Sequence, residues 1–113
     1  MFKKNLEMSF LLDFYGDVLS ERRLTVMTMY YNEDLSLAEI ADEIGISRQG
    51  VRDLIKKSEE ELTALEEKLG LARKFGNLKE CADRIETLIN AADVEKEVRE
   101  NIISLVEQIK TNT

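Results

Sequence analysis

The 113-residue chain has no histidine, no proline, no tryptophan, one cysteine and five glycines. Without histidine it lacks the usual general base near neutral pH, and with one cysteine it lacks the common zinc ligand sets, so no metal or other cofactor is expected. Carboxylates are plentiful, yet no glycine-rich phosphate loop or serine or cysteine nucleophile motif accompanies them, so the expectation is a protein that is not an enzyme. A single cysteine cannot form an internal disulfide, which suits a reducing, cytoplasmic setting. Cys81 stands at helical spacing between Leu78 and Ile85 and reads as a buried packing residue. Near the start, Lys3 and Lys4 precede apolar residues, but Glu7 and Asp13 interrupt the run before it reaches signal-peptide or membrane-span length, so neither export nor membrane insertion is expected.

Apolar residues make up 43% of the chain and charged residues 35%. With so few breakers, that mixture favours long amphipathic helices and an all-α fold. The length allows one main core with at most a small appendage. Leu6, Phe10, Leu11, Phe14 and Val18 predict a first helix from Lys3 to about Asp17. Ser20 caps a second, with Leu24, Met27, Met29, Tyr30 and Tyr31 on its apolar side. Ser36 and Glu39 form a capping box ahead of "LAEIADEI", and Gly45 takes the left-handed stop position. Ser47 then caps a helix that meets no breaker before Gly70. Along it Val51, Ile55, Ser58, Leu62, Leu65, Leu69 and Ala72 form a narrow stripe. Gly76 is expected to open a tail of two helices, one marked by Leu78, Cys81, Ile85 and Leu88, the other by Val94, Val98, Ile102, Leu105 and Ile109. "KTNT" is expected to fray. The predicted layout is a helix-turn-helix domain with a long helix over residues 1–75 and a C-terminal helical tail over 76–113, packed on the long helix or on a second subunit.

A helix-turn-helix needs a small residue where its two helices cross and a left-handed residue in the turn; Ala41 and Gly45 fit those roles. Burial of Val51 and Leu54 on the shared core leaves Ser47, Arg48, Gln49, Arg52, Asp53 and Lys56 exposed. Arg48 and Arg52 suit phosphate or guanine, Gln49 suits adenine, and Ser47 stands at a helix N-terminus able to accept a phosphate oxygen. Residues Ser47 to Lys57 hold four bases and one acid, but Ser58 to Lys68 hold five glutamates and one lysine, and the formal net charge is −7. Phosphate repulsion therefore opposes tight binding by one copy. Two ways round this are expected: a homodimer presenting a basic tip held away from an acidic stalk, or a protein or RNA partner in place of DNA.

The segment "FLLDFYGDVLSERRLTVMTMYYNEDLSLAEIADEIGISRQGVRDLIKKSEEEL" resembles the YlxM family of helix-turn-helix proteins of Gram-positive bacteria, over roughly Leu6 to Phe75. Within it, "YYNEDLSLAEIADEIGISRQGV" is similar to the fourth region of RNA polymerase sigma factors, which binds promoter DNA. The first resemblance implies a small cytoplasmic regulatory or accessory protein of the signal recognition particle pathway. Its expected partners are DNA, the particle's RNA, or the targeting GTPase bound in an adaptor role without sequence-specific DNA binding. The second carries groove-facing roles onto Ser47, Arg48, Gln49, Arg52 and Lys56. The remaining sigma regions are absent from this chain, so polymerase recruitment does not carry over.

Overall fold

Serine side chains open three of the helices in the computed structural model, which describes residues 6–112. Helix α1 (Leu6–Tyr15) runs into a single 3-10 turn over Gly16–Val18. The predicted start at Lys3 lies outside the described residues. Ser20 accepts a hydrogen bond from the Arg23 N–H and opens α2 (Glu21–Tyr31). Before α3 (Leu37–Ile44) the capping box is closed in both directions: the Ser36 hydroxyl accepts from the Glu39 N–H at 3.1 Å, and the Glu39 carboxylate accepts from the Ser36 N–H at 3.0 Å. Those backbone and side-chain bonds hold the Glu39 carboxyl below its usual pKa.

Gly45 ends α3 at φ 81°, a backbone region that disfavours residues with a Cβ. The Ser47 hydroxyl accepts from the Gly50 N–H at 2.9 Å and opens α4 (Arg48–Leu69), which Gly70 closes at φ 61°. Helix α5 spans Leu71–Ala91 and α6 spans Lys96–Thr111. Among the described residues there are six α-helices and no strand. The protein is therefore all-α. Gly76 does not open the tail, because α5 passes through it unbroken, and the chain divides into two compact units between Gly70 and Leu71 rather than after residue 75. Of "KTNT", Lys110 and Thr111 complete α6, and Thr113 lies outside the described residues.

In the first unit α4 packs against α1, α2 and α3, so the long helix is the central element of the core. Its stripe is buried at Val51, Ile55, Ser58 and Leu62, then weakens to half-buried at Leu65 and exposed at Leu69. On α2 the fully buried pair is Val26 and Met27, with Met29 half-buried. Leu54 is only half-buried. The face of α1 differs from the expected one: Met8, Leu11, Leu12 and Tyr15 are buried while Leu6, Phe10 and Val18 are exposed. Both sets have helical spacing, and the packing partner selects the one that includes Tyr15.

The second unit is an antiparallel hairpin, a direction fixed by its own polar contacts. Arg99 near the start of α6 donates to the Ile89 and Ala92 carbonyls at the end of α5, at 3.3 and 2.6 Å. The Ile89 carbonyl also accepts from the Ala92 N–H at 3.3 Å, so Arg99 is its second donor, and Arg99 gives the Ala92 carbonyl a partner past the helix end. Lys110 near the end of α6 reaches Asp83 at 2.9 Å and Glu86 at 2.7 Å. Hydrogen bonds to those carboxylates push the Lys110 ammonium well above the usual lysine pKa. Between the helices Ala82, Ile89 and Val106 are buried. The residues expected to mark the packed faces are instead largely exposed, Cys81 among them, because they lie beside the seam and not on it.

Candidate nucleic-acid interface

The first two turns of α4 carry the basic residues. Ser47, Arg48, Gln49, Arg52 and Lys56 are all exposed, whereas Val51 is fully buried and Ile55 nearly so. At 100° per residue, Gln49 and Lys56 lie roughly 120–140° round the helix from that buried pair and Arg52 about 80° from it, while Arg48 is near the buried side in phase and is exposed at the first residue of the helix. Lys57 is also exposed and adds a fourth positive charge. Two of the residues are engaged internally. The Ser47 hydroxyl is committed to its cap, and the Gln49 amide donates to the Asp53 carboxylate at 3.0 Å. To read a base edge, Gln49 has to leave Asp53.

Behind this face the glutamates of α4 are gripped by neighbouring helices. Tyr15 on α1 donates its hydroxyl to Glu66 at 2.7 Å. On α2, Tyr31 donates to Glu59, and Arg23 donates through Nε to Ser58 at 3.0 Å while pairing with Glu61 at 2.7 Å. Ser58, fully buried, donates its own hydroxyl hydrogen bond to the Leu54 carbonyl at 2.8 Å. The expected acidic stalk is thus not a separate element, since three of its five glutamates fasten α4 into the bundle. Burial and the bond to Glu59 push the Tyr31 phenol well above the usual range. Tyr30, packed edge-to-face on Tyr31, is raised by burial and by Glu59, with Arg52 opposing the shift.

The surroundings of the face are acidic. Residues 1–70 hold fifteen acids and nine bases, and α3 exposes Glu39, Asp42 and Glu43. Four of those bases stand within the ten residues from Arg48 to Lys57. A polyanion is attracted to that segment and repelled by most of the rest of the unit.

A short helix, a left-handed glycine and a capped, basic second helix form the arrangement of a helix-turn-helix. The family model described as "Putative helix-turn-helix protein, YlxM / p13 like" (UPF0122) matches residues 2–106. The chain belongs to this family. Among curated UPF0122 proteins, one from Clostridium perfringens (strain SM101 / Type A) is 37% identical over 108 residues, covering 95% of this chain and 96% of the relative. One from Bacillus cereus (strain AH187) is 36% identical over 109 residues, covering 96% and 99% respectively. The UPF0122 match extends well past Phe75 into α6, so the hairpin belongs to the family's common length and not only the helix-turn-helix unit. Among the described residues, no three acidic, cysteine or histidine side chains are grouped to hold a metal, and no helix is long and apolar enough to cross a membrane.

Proposed function

We propose that this UPF0122 protein is a non-catalytic, nucleic-acid-binding regulatory or accessory protein of the signal recognition particle pathway, with the N-terminal half of α4 as its contact surface. The observation that carries the reading is the exposed set Arg48, Gln49, Arg52 and Lys56 at the start of a helix whose buried side is anchored by three others. Rigid placement matters because side chains read a groove only when the helix presenting them is fixed. Arg48, Arg52 and Lys56 supply phosphate contacts, and Arg52 and Gln49 supply base-edge contacts. The link to protein targeting rests on the YlxM resemblance, which also makes the particle's RNA a candidate ligand beside duplex DNA.

A second reading is favoured by the excess of acids around the basic face: an adaptor that binds the targeting GTPase, or its ribonucleoprotein, through protein surfaces. Fluorescence anisotropy with three labelled probes separates the two. The full chain is titrated against a random duplex DNA, the signal recognition particle RNA, and the nuclease-treated GTPase. Salt-sensitive binding to either nucleic acid supports the first reading. Binding to the GTPase alone, with neither nucleic acid bound at low salt, replaces it with the adaptor.

A further inference from the structure

The α5–α6 hairpin has one wet apolar side. Leu78, Ile85 and Leu88 on α5 and Val98, Leu105 and Ile109 on α6 are all exposed, with Leu88 at 68% and Leu105 at 58%. Cys81 is exposed among them. On each helix this stripe lies about a quarter-turn to the same rotational side of the seam marked by Ala82 and Ile89 or by Val106. Because the helices run antiparallel, equal rotations bring the two stripes to a single side of the hairpin. The ion pairs of Lys110 with Asp83 and Glu86 close the other side.

We propose that a second copy of this chain covers that side, the two hairpins forming a four-helix bundle about a two-fold axis. The spacing is that of a helical partner: 78, 81, 85 and 88 on α5, and 98, 102, 105 and 109 on α6, alternate steps of three and four. The charge pattern favours a copy of the chain itself. The six acids within these helices, Glu80, Asp83, Glu86, Glu97, Glu100 and Glu107, fall outside the stripes, and the helical positions along their outer edges are Asn77, Arg84, Asn101 and Gln108. In a chain of net charge −7, this is a surface on which two copies meet without opposing carboxylates. The area is adequate too: six aliphatic side chains expose roughly 500 Å² of apolar surface, and with the rim this approaches the ~800 Å² per partner of a stable interface. The proposal does not depend on nucleic-acid binding.

The test is sedimentation of the full chain from low to high micromolar concentration, with maleimide alkylation of Cys81 followed in parallel. The expected mass is twice 13.0 kDa, with Cys81 alkylated more slowly as concentration rises. Leu88→Glu with Leu105→Glu raises the dimer dissociation constant at least ~100-fold at unchanged helix content, and alkylation then becomes independent of concentration. Leu88→Ala with Leu105→Ala gives a weaker loss in the same direction and serves if the charged variant fails to fold. A wild-type chain that stays at 13.0 kDa throughout overturns the proposal. So does a dimer that tolerates both substitutions, which places its interface elsewhere.

Discussion

Removing the Arg23–Ser58 hydrogen bond tests whether the acidic half of α4 is fastened to α2 or merely lies beside it. Arg23→Met keeps most of the stem and removes the guanidinium. The bond from its Nε to the fully buried Ser58 hydroxyl is 3.0 Å long and contributes about 1.5 kcal/mol as a charge-assisted hydrogen bond. The pair with Glu61 adds at most ~1 kcal/mol because Glu61 is 40% exposed and screened by water. The expected loss is about 2 kcal/mol. Ser58→Ala leaves Arg23 without that acceptor and costs a similar amount, about 1.5 kcal/mol. The double variant should then fall short of the sum by about 1.5 kcal/mol, the coupling of the shared bond. Urea denaturation measures all four proteins, and tyrosine fluorescence is a selective readout, since Tyr15, Tyr30 and Tyr31 are the chain's three tyrosines and all lie in the first unit. A coupling within ~0.3 kcal/mol of zero refutes the reasoning and reduces the contact to a surface pair.

Asp53→Ala removes an exposed carboxylate from the basic face and releases Gln49; nucleic-acid affinity at low salt should rise about fivefold, and an unchanged or lower affinity in the anisotropy titration contradicts the placement of the surface. Gly45→Ala puts a Cβ at φ 81° with no other atom within 4 Å of it, so the cost is backbone strain alone, about 1–2 kcal/mol of denaturation free energy. Because the folded Glu39 carboxyl sits below its usual value of 4.5, the capping box contributes stability above that value and loses it as pH falls through the folded value. A comparison of denaturation midpoints from pH 7 to pH 3 should show a smaller acid loss in Glu39→Gln than in the parent chain.

The parts of the fold legible in the sequence are those set by neighbours in the chain. Ser36 with Glu39, Gly45, Ser47 and Gly70 act over one turn, and the capping box, the helix-turn-helix turn and the length of α4 follow from them. Helix faces were less legible where apolar residues form two overlapping stripes. In α1 the stripe with Leu6 and Phe10 competes with the one containing Met8 and Tyr15, and only contact with α4 decides between them. In α5 and α6 the regular stripes proved to be the exposed ones, while the seam uses Ala82, Ile89 and Val106. Gln49, Arg52 and Lys56 on the basic face follow from helical phase, but the grips behind it do not: Tyr15 meets Glu66 and Arg23 meets Ser58 across 51 and 35 positions, pairings that no local pattern encodes.

Whether the exposed start of α4 binds a polyanion is decided by the salt dependence of that binding. Affinity for duplex DNA and for the particle's RNA is measured at several salt concentrations for the parent chain and for Arg48→Ala with Arg52→Ala, with circular dichroism to confirm equal helix content. Both arginines are exposed, so the fold should survive. Losing two phosphate contacts should weaken binding and flatten the slope of log affinity against log salt by about two. Equal affinities and equal slopes for the two proteins would contradict such binding and remove this helix from the interface.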